Sequence, residues 1–404
     1  MVYWVWLQKV IGFGSDRVPY VIEHFGSARA MYEAGADAIR KSGILSVAAL
    51  KKVSAVTLAD CRATVNICKN MGISIITPDM PKYPKTLLNT QTPPSVLYTK
   101  GDFPDFDNTP SFCIVGPREC TEFGQKSAFS LAYRLALGGM TIISGGAKGA
   151  DYCAHIGALR ADGITVLVMP CGIDIEYPSA NKELRKAVLE KGCLISEFPP
   201  GYNVTKGAFH LRNRILSGLA LGVAVIEADE QSGALITANH AAEQGREVFV
   251  VPGRSKTSTQ YAGSKKLLED GAIPLLSAVN IFEQYYPVFP DRIYMRKAYN
   301  INKERLTEDY EQCAGGFLKK IRAPKLVKPK KEKSCKFKRE NINVLTEKAR
   351  QVYNCFEDKE LSVDDICLQQ ISDADVFAAL SELELYGFIQ AMPGGRFIKK
   401  EFTI

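Results

Sequence analysis

The sequence predicts an α/β protein whose centre is a doubly wound, mostly parallel β-sheet, preceded by a small helical domain and followed by a winged helix. Three observations lead to this fold class. Short apolar runs alternate with helical segments between residues 111 and 276, helices joined by glycine turns fill the first 65 residues, and three helices with a hairpin come last. Strict alternation of strand and helix is typical of a parallel sheet with helices on both faces.

The central domain, residues 111–285, contains six candidate strands. Each is a continuous apolar run rather than an alternating one, as expected for strands that are covered on both faces. The runs are 112–115, 141–143, 165–169, 194–196, 223–226 and 248–251. Ligands of such sheets bind beyond the carboxyl ends of the strands, so we expect function in the loops that follow each strand.

The N-terminal domain, residues 1–65, consists of helices separated by small-residue turns such as Gly12-Phe13-Gly14-Ser15 and Gly26-Ser27. The pattern is typical of SAM-like or helix-hairpin-helix-like domains, whose turn amides can bind a DNA phosphate. The pattern is also compatible with a helical bundle that binds no ligand, and this is the favoured interpretation. Residues 66–110, with a candidate strand at 72–76 and several prolines, form a connector into the sheet domain.

The C-terminal part divides into a basic linker, 286–344, and a winged-helix domain, 345–404. Between Lys319 and Glu340, eleven Lys or Arg and two Glu give a local charge of +9, above the +7 of the whole chain. Three candidate helices in the last domain, at 347–355, 363–369 and 373–385, precede a β-hairpin whose strands are 387–390 and 396–398. The third helix is acidic, which favours a protein contact or dimerisation over insertion into a DNA groove; its acids are Asp373, Asp375, Glu382 and Glu384.

Composition excludes several classes of protein. A chain of 404 residues with 46% hydrophobic content is expected to form two or three globular domains. Its apolar segments are too short to cross a bilayer, and the apolar start lacks a signal-peptide cleavage site. The eleven cysteines include no C-x-x-C pair and the four histidines are dispersed. We therefore expect a reduced, cytoplasmic protein with no metal and no cofactor.

The loop after the second strand of the central domain is rich in glycine: Ser144-Gly145-Gly146-Ala147-Lys148-Gly149. Strand, glycine loop and helix together point backbone N–H groups at an anion, because glycine permits positive φ and a close approach of the backbone. Lys148 adds a positive charge. A tight turn without a ligand is the alternative, and the spacing matches neither a P-loop nor a dinucleotide-binding motif.

The other loops at the same edge of the sheet are also basic. Each cation alone is more often a solvated surface charge, but eight at one edge indicate a groove for a polyanion: Arg118, Lys148, Lys182, Lys206, Arg212, Arg214, Arg254 and Lys256. The sequence pairs no nucleophile with a base and has no acidic metal cluster. Glu227 and Asp229 could act as acids, but helix capping accounts for them as well. Binding is therefore favoured over catalysis.

Seven motifs follow one another along these loops. They are Gly116-x-Arg118, Ser144-Gly145-x-Ala147-x-Gly149-x-Asp151-x-x-x-His155, Gly172-x-Asp174, Tyr177-Pro178-x-x-Asn181, Ser196-Glu197-x-Pro199-x-Gly201, Arg212-Asn213-Arg214-x-x-x-Gly218 and Ser232-Gly233-x-Leu235-Ile236-Thr237. The set resembles the DNA-processing protein A family (DprA, also called Smf). Further matches at 242–253 and 270–272, with the helical start and the winged helix, extend the resemblance over the chain.

The resemblance implies a non-catalytic protein that binds and protects single-stranded DNA in a basic pocket of an extended Rossmann-like domain. It also implies a homodimer that helps to load the RecA recombinase during natural transformation. In this role Arg118 and the glycine-loop amides hold phosphates, and Phe209 or His210 stacks on a base. The DNA-binding residues carried over are Arg118, Ser144, Gly145, Gly146, Lys148, Gly149, Asn181, Lys182, Phe209, His210, Arg212, Asn213 and Arg214.

Three positions depart from the family pattern. Pro117 replaces a serine, His210-Leu211 replaces a proline-containing segment, and Lys265 replaces an asparagine. These changes affect the expected geometry of DNA binding more than its charge. The alternative function is that of a nucleotide-binding or nucleotide-processing protein of a related Rossmann-like group, such as the phosphoribohydrolases. Their Pro-Gly-Gly-x-Gly-Thr loop is replaced here by Asp229-Glu230-Gln231-Ser232-Gly233.

Overall fold

The computed structural model describes residues 1–253, 259–299, 303–314, 345–356, 361–362, 366, 373–385, 388–392 and 396–399. The chain forms two compact units, residues 1–323 and residues 324–404. Several sequence predictions lie outside the described residues. They are the cations Arg254 and Lys256, the lysine-rich segment 319–340, and the candidate helix at 363–369 except for Ile366.

Five helices begin the first unit: α1 (Val2–Ile11), α2 (Arg17–Phe25), α3 (Ala28–Ser42), α4 (Val47–Ala55) and α5 (Leu58–Asn70). Polar N-caps begin three of them, since the hydroxyls of Ser27, Ser46 and Thr57 accept N–H bonds from the first turn of the helix that follows. Gly43 ends α3 in a left-handed conformation with φ of 70°.

A nine-stranded, mostly parallel sheet is the centre of this unit. Its strands are β1 (Ser74–Ile76), β2 (Leu97–Gly101), β3 (Ser111–Val115), β4 (Thr141–Ser144), β5 (Thr165–Met169), β6 (Cys193–Ser196), β7 (Gly222–Val225), β8 (Glu247–Val250) and β9 (Ile273–Pro274). The spatial order is β1-β2-β6-β5-β4-β3-β7-β8-β9. Strands β3 to β9 pair in parallel, whereas β1 and β2 extend the β6 edge in antiparallel orientation. The predicted fold class is confirmed.

All six strands predicted for the central domain are present, each within two residues of the expected ends. Strand β2 was not expected, because Leu97 and Tyr98 lie in a proline-punctuated stretch that was interpreted as a connector. Leu97 and Tyr98 pair with Ile76 and Ile75 of the short β1, and Tyr98 also pairs with Ser196 of β6. The segment 97–101 therefore forms a strand because neighbouring strands pair with it, although its local sequence predicts only a turn.

Helices cover both faces of the sheet. They are α6 (Lys85–Leu88), α7 (Glu122–Leu137), α8 (Ala150–Arg160), α9 (Lys182–Lys191), α10 (Lys206–Gly218), α11 (Gly233–Glu243), α12 (Ala262–Glu269), α13 (Ala278–Tyr285), α14 (Met295–Tyr299) and α15 (Lys303–Ala314). Side chains of α7, α8, α9 and α13 pack on one face and side chains of α10 and α11 on the other. The expected N-cap Ser232 is confirmed: its hydroxyl accepts the N–H of Ala234.

The N-terminal helices are joined to the sheet through a buried polar side chain, Gln8 of α1. Its amide donates to the carbonyl oxygen of Glu197 at 2.9 Å and accepts the hydroxyl of Tyr98 at 2.9 Å. Trp4 and Trp6 of the same helix are buried in the core cluster that includes the sheet. Helix α1 is thus part of the core that supports the sheet, and its glutamine is satisfied only by residues distant in sequence.

The second unit contains α16 (Glu347–Cys355), β10 (Leu361–Ser362), α17 (Asp373–Leu385), β11 (Ile389–Met392) and β12 (Arg396–Lys399). The strands form an antiparallel sheet in the order β10-β12-β11. The predicted winged helix is confirmed. Two of the four acids of α17 bond to the start of α16, where Glu382 accepts the N–H and hydroxyl of Thr346 and Asp375 lies 2.6 Å from the amine of Lys348.

Within the described residues, no helix combines the length and the apolar character needed to span a bilayer.

Replacing Gln8 with leucine is expected to lower the free energy of unfolding by about 1–3 kcal/mol, because the Tyr98 hydroxyl and the Glu197 carbonyl would lose their shared buried partner. Urea titration followed by circular dichroism measures the change. The exposed neighbour Lys9→Ala is the control and should stay within about 0.5 kcal/mol of the wild type. Equal stability of the Gln8→Leu and Lys9→Ala proteins would contradict the proposed link between α1 and the sheet.

Candidate functional site

The glycine loop after β4 contacts the loop after β3, at the carboxyl edge of the sheet. Gly149 has φ of 79°, and a Cβ atom there would overlap the carbonyl oxygens of Pro117 and Arg118. Only glycine therefore allows the two loops to lie this close. The N–H of Ala150, the first residue of α8, donates to the carbonyl of Pro117 at 3.3 Å. The β3 and β4 loops thus form one surface.

The glycine loop already contains an anion of its own, the buried carboxylate of Asp151. The N–H of Ala147 donates to Asp151 Oδ2 at 3.3 Å. Burial raises the pKa of Asp151, while the Arg212 guanidinium and hydrogen bonds from the loop oppose that rise. The sequence predicted that the backbone N–H groups of this loop bind an external anion, but in the structure the N–H of Ala147 donates to Asp151 instead. The remaining amides are the ones that could reach a ligand.

Arg212 supports the glycine loop from inside the protein. It is 5% exposed, and its guanidinium donates to the carbonyl of Gly145 at 2.7 Å and to the carbonyl of Val168. A Cβ atom at Gly145 would overlap this guanidinium. Burial lowers the pKa of Arg212, which the negative charge of Asp151 partly offsets. The structure therefore places Arg212 beneath the loop and not on a solvent-facing surface.

Arg214 and Asn213 are buried as well. The guanidinium of Arg214 lies 2.5 Å from Glu197 Oε2 and also donates to the carbonyl of Thr92. The second carboxylate oxygen of Glu197 accepts the N–H of Gly14 at 3.1 Å, in the turn between α1 and α2. The side-chain oxygen of Asn213 accepts a hydrogen bond from Arg212 Nε at 3.1 Å, and its side-chain nitrogen donates to the carbonyl of Gly233. Both side chains bond to protein groups, so the charge of Arg214 is not exposed and the amide of Asn213 does not face solvent.

Ser144 and Asn181 also shape the loop through their side chains. Asn181 is 5% exposed and donates to the carbonyl of Gly146 at 2.9 Å. The hydroxyl of Ser144 donates to the carbonyl of Ile114, in the neighbouring strand β3, at 2.7 Å. Gly146 itself has φ of 69°. These polar side chains hold the backbone of the loop in place from within the protein.

The solvent-facing part of the site is a cluster of a cation and two aromatic rings, here called the Arg118 cluster: Arg118, Phe209 and Tyr177. The exposed guanidinium of Arg118 lies 5.1 Å from the ring centroid of Phe209. The ring of Tyr177 meets Phe209 edge to face, with 5.7 Å between centroids. Because Phe209 is only partly buried, the cluster offers both a positive charge and aromatic surface to a ligand.

Further exposed cations lie in the loops beside this cluster. Lys148 is in the glycine loop, Lys182 begins α9, and Lys206 begins α10 one turn before Phe209. His210 is exposed next to Phe209. Lys182 lies 2.7 Å from Glu176, so part of its charge is neutralised locally. Exposed acids lie in the same loops, among them Glu119, Glu176 and Glu230, and two of the arginines expected at this edge, Arg212 and Arg214, are inside.

Sequence reasoning missed two roles at this edge. Tyr177 was part of a motif but was not expected to contact Phe209, because the two lie on loops after different strands. Glu227 was interpreted as a capping residue, whereas its buried carboxylate accepts bonds from Thr121 and from the hydroxyl of Tyr261. The signal for Glu227 was its position just beyond β7, and the signal for Tyr177 was its place in a motif of the loop after β5.

His155 lies inside the protein beneath the glycine loop. It is 0% exposed, and its Nδ1 lies 2.7 Å from the hydroxyl of Thr165. Burial, together with the nearby positive charge of Arg212, lowers the pKa of His155 to about 3. A neutral, enclosed imidazole is suited to packing and not to proton transfer with a ligand. In the part of the chain that the structure describes, no group of three His, Cys, Asp or Glu could hold a metal ion.

Comparisons with known proteins agree with this architecture. The family model for DNA recombination-mediator protein A matches residues 74–286, more than half of the chain, and the model for the DprA winged helix domain matches residues 338–395. The DNA processing protein DprA of Bacillus subtilis is 39% identical over 217 residues, which cover 54% of this chain and 72% of the relative. Protein Smf of Synechocystis is 30% identical over 331 residues, 80% of each chain. The solved structure of DprA from Streptococcus pneumoniae superposes with a TM-score of 0.61 at 29% identity, covering 70% of this chain and 98% of that one.

Truncating Arg214 should destabilise the protein strongly, whereas truncating Arg118 should not. Arg214→Ala leaves the buried carboxylate of Glu197 without its cation, which costs about 3–5 kcal/mol. Arg118→Ala removes an exposed side chain and should change stability by less than about 0.5 kcal/mol. Chemical denaturation of the two variants measures the difference. Similar stabilities would show that Arg214 is not structural.

His155 should make the folded state less stable in acid. Its pKa falls from the ordinary value in the unfolded chain to about 3 in the fold, so the unfolded state binds the extra proton first. The free energy of unfolding should therefore be unaffected above the unfolded pKa of about 6.5 and should decrease as the pH falls below it. Urea midpoints between pH 5 and pH 7.5 test this slope. His155→Gln should flatten it, and the exposed His24→Gln should leave it unchanged.

Proposed function

The chain belongs to the DNA recombination-mediator protein A family, and we propose on that premise that the strand-end surface of its first unit binds and protects single-stranded DNA. The observation that carries the proposal is the Arg118 cluster, in which an exposed guanidinium lies on an aromatic ring. Proteins that bind single strands combine cations for the phosphates with aromatic rings for the bases. The cluster supplies both at one place.

The aromatic rings favour single strands over duplex DNA. Bases in a duplex are stacked on one another, so their faces are not free to contact Phe209 or Tyr177. An unpaired base has a free face, and stacking on an aromatic side chain stabilises it by about 1–3 kcal/mol. Neither this stacking nor phosphate binding depends on the base, and we therefore expect little sequence preference.

We assign three separate roles to the thirteen residues that the sequence indicated. The exposed or partly exposed residues contact DNA directly: Arg118, Lys148, Lys182, Phe209 and His210. The buried side chains Ser144, Asn181, Arg212, Asn213 and Arg214 position those contacts through bonds to protein groups. Gly145, Gly146 and Gly149 let the loop backbone approach the ligand and its neighbours.

We infer that the protein acts by binding and not by catalysis. Among the described residues at the strand ends, Glu227 already accepts hydrogen bonds from four protein donors and His155 is enclosed. The alternative, a nucleotide-binding or nucleotide-processing protein, would need a closed site for one nucleotide. The Arg118 cluster is instead open and is flanked by cations on several loops, which suits a chain of phosphates better.

The partner functions of the family complete the proposal. We propose that the protein forms a homodimer in the cytoplasm and delivers its DNA to the RecA recombinase, in DNA uptake by natural transformation. The winged helix is assigned to protein contact, because the sequence of α17 contains four acids and no Lys or Arg, a composition that disfavours insertion of this helix into a DNA groove. These assignments come from the family resemblance, and the geometry of the Arg118 cluster supports the DNA-binding part.

Two substitutions should separate the phosphate and base contacts. Arg118→Ala is expected to weaken binding to a poly-dT oligonucleotide and to lower the slope of log affinity against log salt by about 0.7, the value for one phosphate contact to a single strand. Phe209→Ala should weaken binding by about 1–3 kcal/mol with the salt slope unchanged. Fluorescence anisotropy at several salt concentrations measures both quantities.

Arg40→Ala is the matched control, since it removes an exposed arginine from α3, away from the strand-end loops. Its affinity and slope should equal those of the wild type. An oligonucleotide should compete for the site far better than a mononucleotide of the same base. Equal competition, or an Arg118→Ala protein indistinguishable from the wild type, would favour the nucleotide-binding alternative.

A further inference from the structure

The carboxylate of Glu227, just beyond β7, has no part in the DNA contacts assigned above. It is 0% exposed and accepts several hydrogen bonds. The N–H of Thr121 donates to Oε2 at 3.0 Å, and the hydroxyl of Thr121 donates to Oε1. The hydroxyl of Tyr261, from the chain after β8, donates to Oε1 at 3.1 Å. One side chain thus joins segments that follow three different strands.

The same carboxylate lies against the first turn of α7. A Cβ atom at Gly124 would overlap it, so glycine is needed to admit the acid. The thiol of Cys120 lies 3.4 Å from Oε2, and burial, together with the charge of Glu227, raises the pKa of that thiol. A carboxylate at a helix N-terminus interacts favourably with the helix dipole. Glu227 is therefore built into the structure at this position.

Glu227 holds one end of the loop that carries Arg118. Thr121 is the N-cap of α7 and follows Arg118 by three residues. The other end of the loop is held by α8, whose Ala150 N–H donates to the carbonyl of Pro117 and whose Cβ leaves no room for a side chain at Gly116. Arg118 lies between these two fixed points, and its guanidinium reaches Phe209 from there.

We propose that Glu227 is a positioning residue for DNA binding: it fixes the loop 116–121 so that Arg118 is held over Phe209. Through the hydroxyl of Tyr261 it also links that loop to the segment after β8. The inference rests on the proposed function, because it concerns the same DNA surface. It goes further by naming a negatively charged residue on which DNA binding depends.

The sign of the effect separates this proposal from simple electrostatics. A carboxylate near a DNA surface repels phosphate, so removing its charge should strengthen binding if charge alone matters. If Glu227 positions Arg118, removing its charge loosens the loop and weakens binding. Glu230 offers a matched control, since it is an exposed acid in the loop after the same strand.

The experiment measures anisotropy of a fluorescent poly-dT oligonucleotide with the full chain at several salt concentrations. Glu227→Gln should weaken binding about tenfold, roughly the value of one charged hydrogen bond, and lower the salt slope by about 0.7 as Arg118→Ala does. The double variant Glu227→Gln with Arg118→Ala should bind no more weakly than Arg118→Ala alone, because both act on one contact. Glu230→Gln should bind as well as the wild type or better.

Conservative variants of the partners test the proposal even where Glu227→Gln fails to fold. Thr121→Val removes the hydroxyl that donates to Glu227 and should weaken binding, whereas Thr121→Ser keeps it and should restore wild-type affinity. Tyr261→Phe should give a smaller loss, and wild-type affinity in that variant would overturn the link to the segment after β8.

The outcomes distinguish this inference from the proposed function. If Arg118→Ala weakens binding while Glu227→Gln and Thr121→Val bind like the wild type or more tightly, the positioning role is wrong and the DNA site stands. The same conclusion follows if the losses in the double variant simply add. If the wild type binds no oligonucleotide, or Arg118→Ala changes nothing, the proposed function itself fails.

Discussion

A buried guanidinium, that of Arg212, holds the candidate site together. It bonds to the carbonyl oxygens of Gly145 and Val168, which belong to the loop after β4 and to β5, and it comes from α10. The nearby carboxylate of Asp151 compensates its charge and in turn accepts an N–H of the glycine loop. A buried charge is tolerated only when it is paired and hydrogen-bonded. These partners therefore fix the relative positions of two strand ends and a helix.

Helix α10 has an exposed N-terminal part and a buried part that follows it. Its first turn carries Lys206, Phe209 and His210, which are exposed or partly exposed. Its next turn is buried and bonds to the glycine loop through Arg212 and to Glu197 through Arg214. Because Glu197 also accepts the N–H of Gly14, the turn between α1 and α2 takes part in this arrangement. The N-terminal helices thus support the site and are not merely attached beside it.

Rigid support of this kind suits a surface that binds without base preference. Contacts to phosphates and base faces have little directional specificity of their own, so their spacing must come from the scaffold. At the strand ends the scaffold consists of hydrogen bonds from four side chains to segments distant in sequence: Ser144, Asn181, Arg212 and Glu227. The side chains that we propose to contact DNA, such as Arg118, can remain exposed because buried residues hold their backbone.

Much of the fold could be predicted from the sequence, because continuous apolar runs mark buried parallel strands wherever they pack. The six central strands and the N-cap at Ser232 followed from local pattern in this way. Strand β2 did not, since its formation depends on its partners β1 and β6 more than on its own residues. The order of the strands and the antiparallel addition of β1 and β2 needed the three-dimensional structure.

By itself the sequence determined which loops follow the parallel strands and that these loops contain many cations. It could not distinguish Arg118 from Arg212 and Arg214, because the three residues have the same chemistry and similar glycine-rich or strand-end surroundings. Only the tertiary structure decided that Arg118 is exposed over Phe209 while the other two are buried against carbonyl and carboxylate oxygens. The physical reason is that burial and hydrogen-bond partners come from segments far apart in the chain. A charge becomes a ligand contact or an internal support only when those segments meet.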